Sequence, residues 1–264
     1  MEEIKYYSVK NQNIEELKVA KDTRHARKEH LHEELTVGIA ESGMSNISMN
    51  GEIYEIKAGD LFFIGSLISH SCNPVEPKEW TYTMIYIKQS HVTEIFNKED
   101  MSDIVAVKRL NSNQIVELKR LIERIKEADF SKEESSYLDD ILYQYYLKAD
   151  RKQKFEIESE LLEVKKYIES HFTEEFNMEN LADIFDIDIY TLIKRYKKYH
   201  KTTPIAYKTQ LRLDFAKQKL TGNQKIGDIA VDAGFYDQAH FSKLFKEIYG
   251  ITPNAYRKNR KQNS

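Results

Sequence analysis

The fold is decided by residues 226–257, IGDIAVDAGFYDQAHFSKLFKEIYGITPNAYR. This stretch has the pattern of a short helix, a turn and a second helix over about 237–248, which is either capped by Asp237 or begun at Tyr236. Thr252 and Pro253 then place a capping hydroxyl ahead of a proline that starts a further helix. Two helices joined by a tight turn are typical of proteins that place the second helix in the major groove of DNA.

The same pattern occurs once more, closer to the N-terminus. Leu181 aligns with Ile229 at an offset of 48 residues, and beyond the turn the offset is 49, as for Pro204 and Pro253. The earlier second helix covers about 189–199 and is capped by Asp188. A connecting helix over 203–220 spans about 26 Å, which could hold the two second helices about one DNA turn apart. The alternative is a helical bundle whose lysines only face water.

Each second helix has an apolar face for the core and an opposite face for DNA. The apolar faces comprise Leu192, Tyr196 and Tyr199 in the first helix, and Phe241, Phe245 and Ile248 in the second. The residues predicted to contact DNA are Tyr190, Ile193, Lys194 and Lys197 in the first helix, and Gln238, Ala239, Ser242, Lys243 and Lys246 in the second. Gln can read adenine, Lys can reach guanine or phosphate, and Ala, Ile and Tyr can contact thymine methyl groups.

Residues 226–257 resemble the signature of the AraC/XylS transcription regulators. The matching positions are Ile226, Ile229-Ala230, Gly234-Phe235, Phe241, Phe245-Lys246, Gly250-Ile251-Thr252-Pro253 and Tyr256-Arg257, with a less regular match in Leu181-Ala182, Leu192, Tyr196-Lys197, Pro204, Tyr207 and Arg212. The resemblance implies a seven-helix domain and assigns base reading to Tyr190, Ile193, Lys194, Gln238, Ala239 and Lys243. The first unit departs from it, because Asp186, Asp188 and Lys201 replace the usual Gly, Ser and Gly.

In the N-terminal half, residues from about Leu35 to Lys88 have the pattern of short strands joined by turns, which suggests a β-sandwich or barrel. Asn50 and Gly51 predict a type I′ hairpin. Residues 112–148 change to helical periodicity, with Ser112 as the expected N-cap; their apolar stripes either pack on the barrel or form a dimer seam. We therefore expect a sensor domain at 1–110, a helical segment at 111–148, a linker at 149–158 and a DNA-binding domain at 159–264.

Three histidines stand out in the β region. His30 and His32 precede the first expected strand, Gly59-Asp60 forms a later turn, and His70 follows it; this order resembles the cupin-type sensor domain of many AraC-type regulators. The predicted ligand-binding residues are His30, His32, His70, Phe62, Trp80 and Tyr82. The three imidazoles could hold a transition metal. However, Leu35 and Thr36 occupy the places where metal-binding cupins carry a Glu, so no cofactor is required and polar lining of a ligand pocket is preferred.

Charge and composition fit these assignments. Residues 159–264 carry 18 Lys and Arg against 14 Asp and Glu, whereas residues 1–158 carry 22 against 29. The N-terminus has no pattern of a signal peptide, no run of apolar residues is long enough to span a bilayer, and the single cysteine, Cys72, fits a reducing compartment. A bacterial cytoplasmic protein with no membrane contact is expected.

Together these observations predict an α+β protein of two domains: a cupin-like β-barrel with following helices, and an all-α double helix-turn-helix with seven helices. The predicted function is sequence-specific regulation of transcription, with double-stranded DNA, a small-molecule effector, RNA polymerase and a second copy of the chain as partners. Activation rather than repression rests on the resemblance alone. Two alternatives stay open: a metal-dependent cupin enzyme, against which the missing Glu argues, and a regulator without a small-molecule ligand.

Overall fold

Ten strands and ten helices occupy the residues described by the computed structural model, which are 3–9, 14–21, 29–31, 33–97, 100–127, 129–156 and 158–262. The strands concentrate before residue 155 and the helices after it. The predicted α+β class, with a β-rich N-terminal domain and a helical C-terminal domain, is confirmed.

Two antiparallel sheets form the N-terminal domain. Seven strands pair in the order β1-β2-β8-β3-β6-β9-β10, and three pair in the order β5-β4-β7. The strands are β1 (Glu3–Ser8), β2 (Ile14–Lys21), β3 (Leu35–Ser42), β4 (Met44–Met49), β5 (Glu52–Lys57), β6 (Asp60–Ile64), β7 (His70–Pro74), β8 (Thr81–Ile87), β9 (Ile104–Arg109) and β10 (Arg151–Lys154). Asn50 and Gly51 join β4 to β5 with φ of 52° and 79°, so the predicted type I′ turn is confirmed.

Three helices belong to this domain: α1 (Gln89–Ile95), α2 (Ser112–Lys126) and α3 (Lys132–Leu147). Leu118 and Leu121 of α2 and Leu142 of α3 are buried in one cluster with Leu35 and Val37 of β3. The apolar stripes of α2 and α3 therefore pack on the sheet, which was one of the two predicted outcomes.

The N-cap of α2 is Asn111 and not the predicted Ser112. The Asn111 side chain accepts a hydrogen bond from the Gln114 amide at 3.0 Å, and the Gln114 side chain accepts one from the Asn111 amide at 3.0 Å. This reciprocal pair satisfies two backbone donors at the helix start, which a serine one residue later does not do.

The predicted linker at 149–158 is in part a strand. Residues 151–154 form β10, which pairs with β9 from Arg151 opposite Val107 to Lys154 opposite Ile104. The strand is an edge strand with mostly exposed side chains, so its sequence, RKQK, has no apolar alternation that would predict it.

The C-terminal domain contains seven helices within 158–262, as the resemblance implied. They are α4 (Ser159–His171), α5 (Met178–Ile184), α6 (Ile189–His200), α7 (Pro204–Lys219), α8 (Ile226–Asp232), α9 (Gln238–Tyr249) and α10 (Pro253–Gln262). Thr203 caps α7 through the Ala206 amide, with Pro204 in the first turn, as predicted. Within the described ranges, no helix combines the length and the apolar character that crossing a bilayer requires.

The two domains share a packed interface. Strand β1 lies against α10, and the rings of Tyr6 and Tyr256 meet edge to face with centroids 5.0 Å apart. The Tyr6 hydroxyl donates to the carbonyl of Tyr249 at 2.9 Å. Buried residues of both sheets, such as Ile47 and Phe62, belong to one apolar cluster with residues of α7 to α10. The second helix-turn-helix unit is therefore anchored on the sheet domain.

Candidate nucleic-acid interface

Helices α6 and α9 are the second helices of the two units, and each begins at an aspartate cap. Asp188 accepts hydrogen bonds from the Thr191 amide at 3.0 Å and from the Thr191 hydroxyl at 3.1 Å. Asp237 accepts one from the His240 amide at 2.7 Å. Both carboxylates thus stabilise the helix N-termini by capping, a role the sequence predicted for each of them.

The residues predicted to contact DNA lie on the accessible faces of these two helices. Of the nine, Ile193 and Ser242 are half-buried, and the other seven are exposed, namely Tyr190, Lys194, Lys197, Gln238, Ala239, Lys243 and Lys246. Positions 190, 194 and 197 correspond to 239, 243 and 246 at the offset of 49 residues, and each set follows the i, i+4, i+7 spacing of one helix face. The two units therefore present equivalent stripes.

The buried faces differ slightly from the prediction. Leu192 and Tyr196 are buried in α6, and Phe241 and Phe245 in α9, as expected. The third buried positions are His200 and Tyr249, whereas the predicted Tyr199 and Ile248 are half-buried. The i, i+4, i+8 stripe points more directly into each unit than the predicted i, i+4, i+7 stripe does.

One arginine of the connecting helix joins the two units. The Arg212 guanidinium, in α7, donates to the carbonyl of Phe172 at 2.7 Å, of Glu174 at 3.0 Å and of Gly234 at 2.6 Å. The first two carbonyls follow α4 in the first unit, and the third lies in the turn between α8 and α9. Arg212 therefore fixes the turn ahead of α9 relative to the first unit.

Sequence reasoning did not select Tyr236 for the interface. Its side chain is 93% exposed immediately before α9, next to Gln238. The repeat aligns Tyr236 with Ile187, which is half-buried, so the alignment gave no reason to choose it. The signal available in the sequence was a large aromatic residue directly ahead of a capping aspartate.

The first unit has two non-glycine residues in the left-handed backbone region. Asp186 has φ of 49° where the second unit has Gly234 at 79°, and Lys201 has φ of 53° where the second unit has Gly250 at 86°. A Cβ makes this conformation unfavourable, and aspartate tolerates it better than lysine does. The same turn geometry is therefore kept in the first unit at a cost in backbone strain.

Replacing Asp186 by Gly is expected to raise the free energy of unfolding by about 0.5–1 kcal/mol, which is the relieved strain less the entropy that glycine adds to the unfolded chain. Chemical denaturation of the full chain measures this change. The matched variant Gly234→Ala should lower stability, since its Cβ would lie 2.9 Å from the Arg212 Cζ and from the Thr173 carbonyl oxygen. A loss of stability in Asp186→Gly would mean that the carboxylate stabilises the turn more than the strain costs.

Two of the three predicted histidines come together in the N-terminal domain. The backbones of His30 and His70 exchange hydrogen bonds of 3.0 and 2.7 Å, and their ring centroids are 4.5 Å apart. Burial lowers the pKa of His70 to about 4, so the ring is neutral near pH 7 and its Nδ1 lies 3.0 Å from the Ile68 carbonyl. His32 lies outside the described residues. Among the described residues, no group of three or more His, Cys, Asp or Glu is arranged to hold a metal ion.

The three aromatic residues predicted to bind ligand lie in the core. Phe62 and Trp80 have no exposed surface, and Tyr82 is 2% exposed. The Phe62 ring occupies the space beside Gly38, where a Cβ would approach it to 2.1 Å, and the rings of Trp80 and Tyr82 have centroids 5.7 Å apart. In this structure these residues pack against one another and against the sheets.

A buried charged cluster crosses the domain interface. Glu16 of β2 has no exposed surface; its carboxylate accepts hydrogen bonds from Lys217 Nζ at 2.7 Å, from the Tyr256 hydroxyl at 2.6 Å and from Arg260 at 3.1 Å. Burial opposes ionisation of Glu16, but Lys217, Tyr256 and Arg260 together lower its pKa below the ordinary value. Burial likewise opposes the charge on Lys217, but Glu16 and Glu34 raise its pKa well above the ordinary value. Both groups are therefore charged within the interface.

Both halves of the chain match models of known protein families. A family model described as "AraC-like ligand binding domain" matches residues 14–145, and one described as "Helix-turn-helix domain" matches residues 181–259. The HTH-type transcriptional activator RhaS of Escherichia fergusonii is 26% identical over 246 residues, covering 88% of each chain.

Solved structures of ToxT from Vibrio cholerae share the fold over nearly the whole chain. ToxT of strain O395 is 14% identical with a TM-score of 0.62, covering 98% of this chain and 97% of that one. ToxT of strain SCE256 bound to an unsaturated fatty acid is 14% identical with a TM-score of 0.59, covering 99% of this chain and 96% of that one. At 14% identity, this similarity shows a shared fold and nothing further.

Proposed function

The chain belongs to the AraC family of transcription regulators, and on that premise we propose that it activates transcription in response to a small-molecule effector. It is a DNA-binding regulator with an N-terminal ligand-binding domain. The observation that supports DNA reading by this surface is the pair of equivalent stripes on α6 and α9, which carry lysines and other groups suited to base edges and phosphates.

We assign base and phosphate contacts to the nine predicted residues of the two stripes. Lys243 and Gln238 lie on the exposed face of α9 close to its start, where recognition helices contact base edges. Lys197 and Lys246 lie further along their helices and are suited to phosphate. Tyr236, which is 93% exposed just ahead of the Asp237 cap, is a further candidate for a DNA contact. The Asp188 and Asp237 carboxylates accept hydrogen bonds from backbone amides at the starts of α6 and α9, so the helix backbone offsets part of their negative charge.

Activation and effector binding have separate supports. The relative RhaS is named a transcriptional activator, and an activator would contact RNA polymerase. The ligand-binding match to residues 14–145 and the fatty acid bound by ToxT favour a small-molecule effector for this chain too. Of the six predicted ligand-binding residues, His30 lines a cavity between the domains. For a homodimer we propose the exposed surface of α2 and α3, where Val116, Tyr137 and Leu147 are 43–68% exposed.

Replacing Lys243 by Ala is expected to weaken binding to the specific operator by about 1–3 kcal/mol and to relax the preference at one or two base pairs, because a base contact is lost. Gel-shift titration on DNA from upstream of the protein's own gene, at two salt concentrations, measures the affinity. A panel of single-base operator variants measures the preference.

The control for this change is Lys78→Ala, which removes the same charge from an exposed position between β7 and β8 in the other domain. It should leave both affinity and preference unchanged. Equal loss on all DNA sequences in Lys243→Ala would make Lys243 a phosphate contact. If no site is bound more tightly than bulk DNA by the unmodified protein, the proposed function is wrong.

A further inference from the structure

A cavity of about 380 Å³ lies where three parts of the chain meet. One wall is the segment Glu29–Leu31 of the N-terminal domain, the second is the first half of α7, and the third is the flank of α9 that carries Leu244 and Glu247. This volume falls in the range of small-molecule sites. The backbone pairing of His30 with His70 ties the first wall to strand β7.

The cavity lining is mostly apolar, and its polar groups include carboxylates and hydrogen-bond acceptors. Leu31, Leu213, Leu244 and Ile248 supply apolar surface, and the described lining residues include two carboxylates, Glu29 and Glu247, and neither Lys nor Arg. These two carboxylates would repel an anionic head group; Glu29 also hydrogen-bonds to Ser69 and interacts with the charges of Lys197 and Lys201.

The side-chain amide of Gln210 also favours a ligand that donates hydrogen bonds. Its Nε2 donates to the Asp214 carboxylate oxygens at 3.2 and 3.3 Å and to the Tyr249 hydroxyl at 3.4 Å, so the atom that Gln210 would offer to a ligand is its carbonyl oxygen, an acceptor. Gln210 is 5% exposed, so it is held in place by packing. A ligand with several N–H donors and a positive charge matches two carboxylates and an amide oxygen, and an alkyl or aryl body matches the leucines and the isoleucine.

We propose that this cavity binds a primary organic ammonium with an apolar body, and that this compound class is the effector. The second half of the proposal rests on the proposed function. One helix, α9, carries both a wall of the cavity and the second DNA-contacting stripe, so an occupant contacts the sheet domain and a reading helix at once. Binding that differs between two arrangements of these domains would shift the population of the DNA-binding arrangement.

The test uses three probes with the same chain and different head groups: n-octylammonium, n-octanol and n-octanoate. Titration calorimetry on the full chain is expected to give the tightest binding for n-octylammonium and binding about tenfold weaker or more for n-octanoate. Glu247→Gln should reduce the preference for n-octylammonium over n-octanol. Ala206→Trp fills the cavity from an exposed position of α7 and should abolish binding of all three.

Thr93→Trp, at an exposed position of α1, is the control for an added indole and should bind the probes as the unmodified chain does. Equal or tighter binding of n-octanoate, no binding of n-octylammonium, or unchanged binding in Ala206→Trp would each overturn the site. Operator affinity is measured on the same samples with and without n-octylammonium. Absence of specific DNA binding would refute the proposed function but leave the probe result intact, whereas probe binding without any change in operator affinity would refute the effector role alone.

Discussion

Replacing Lys217 by Met is expected to lower the free energy of unfolding by about 3–5 kcal/mol, because it leaves the Glu16 carboxylate buried without its nearest cation. Lys217 Nζ lies 2.7 Å from one Glu16 oxygen, and both side chains are shielded from water, with 6% and no exposed surface. Arg260 at 3.1 Å and the Tyr256 hydroxyl remain on the other oxygen and compensate only in part. Since the cluster crosses the interface, the loss should also loosen the contact between the two domains.

Chemical denaturation, followed by separate probes for the sheet and the helices, measures this effect. The double variant Glu16→Gln, Lys217→Met should recover part of the stability, because the charges of Glu16 and Lys217 are removed together, whereas Arg260 loses the carboxylate that it contacts at 3.1 Å. Lys219→Met changes an exposed lysine of the same helix and should alter stability by less than about 0.5 kcal/mol. If Lys217→Met matches Lys219→Met, the buried cluster does not stabilise the interface.

The same cluster explains why the first two strands were not predicted from the sequence. In β2, Glu16 and Lys18 alternate with Leu17 and Val19, yet all four side chains are buried. The strand pattern expected from a sequence assumes that polar residues face water. The polar face of β2 is instead covered by the C-terminal domain, more than 190 residues away along the chain. No local pattern carries that information.

The parts that were predicted correctly depend on short-range physics. The Asn50-Gly51 turn follows from backbone preference at two residues, and the caps at Asp188, Thr203 and Asp237 follow from one side chain near each helix start. The equivalence of α6 and α9 followed from the repeat. The exposure of Tyr236 and the cavity beside α9 depend on how separate elements meet, so they required the structure.

Arg212 was predicted in part from the sequence. Its position matched the family pattern, but only the structure gives its contacts. Replacing it by Lys keeps the charge but not the planar fork that reaches three carbonyls in both units. We expect a loss of about 1.5–3 kcal/mol in stability, because partly buried carbonyls lose charged donors. Operator affinity should fall about a hundredfold at a temperature where the variant remains folded, because two units that are no longer held in register stop binding as one.

Arg257→Lys separates this effect from a general loss of stability. The Arg257 guanidinium also donates to backbone carbonyls, those of Leu220 at 3.3 Å and Gln224 at 2.7 Å, but both lie in the segment between α7 and α8 and not in the first unit. It should therefore lower stability without uncoupling the units. Footprints distinguish the two variants: Arg212→Lys should protect only one half of the operator contacted by the unmodified protein, and Arg257→Lys both halves. Full-length protection by Arg212→Lys would show that packing of α7 alone sets the register, and that the three hydrogen bonds contribute stability only.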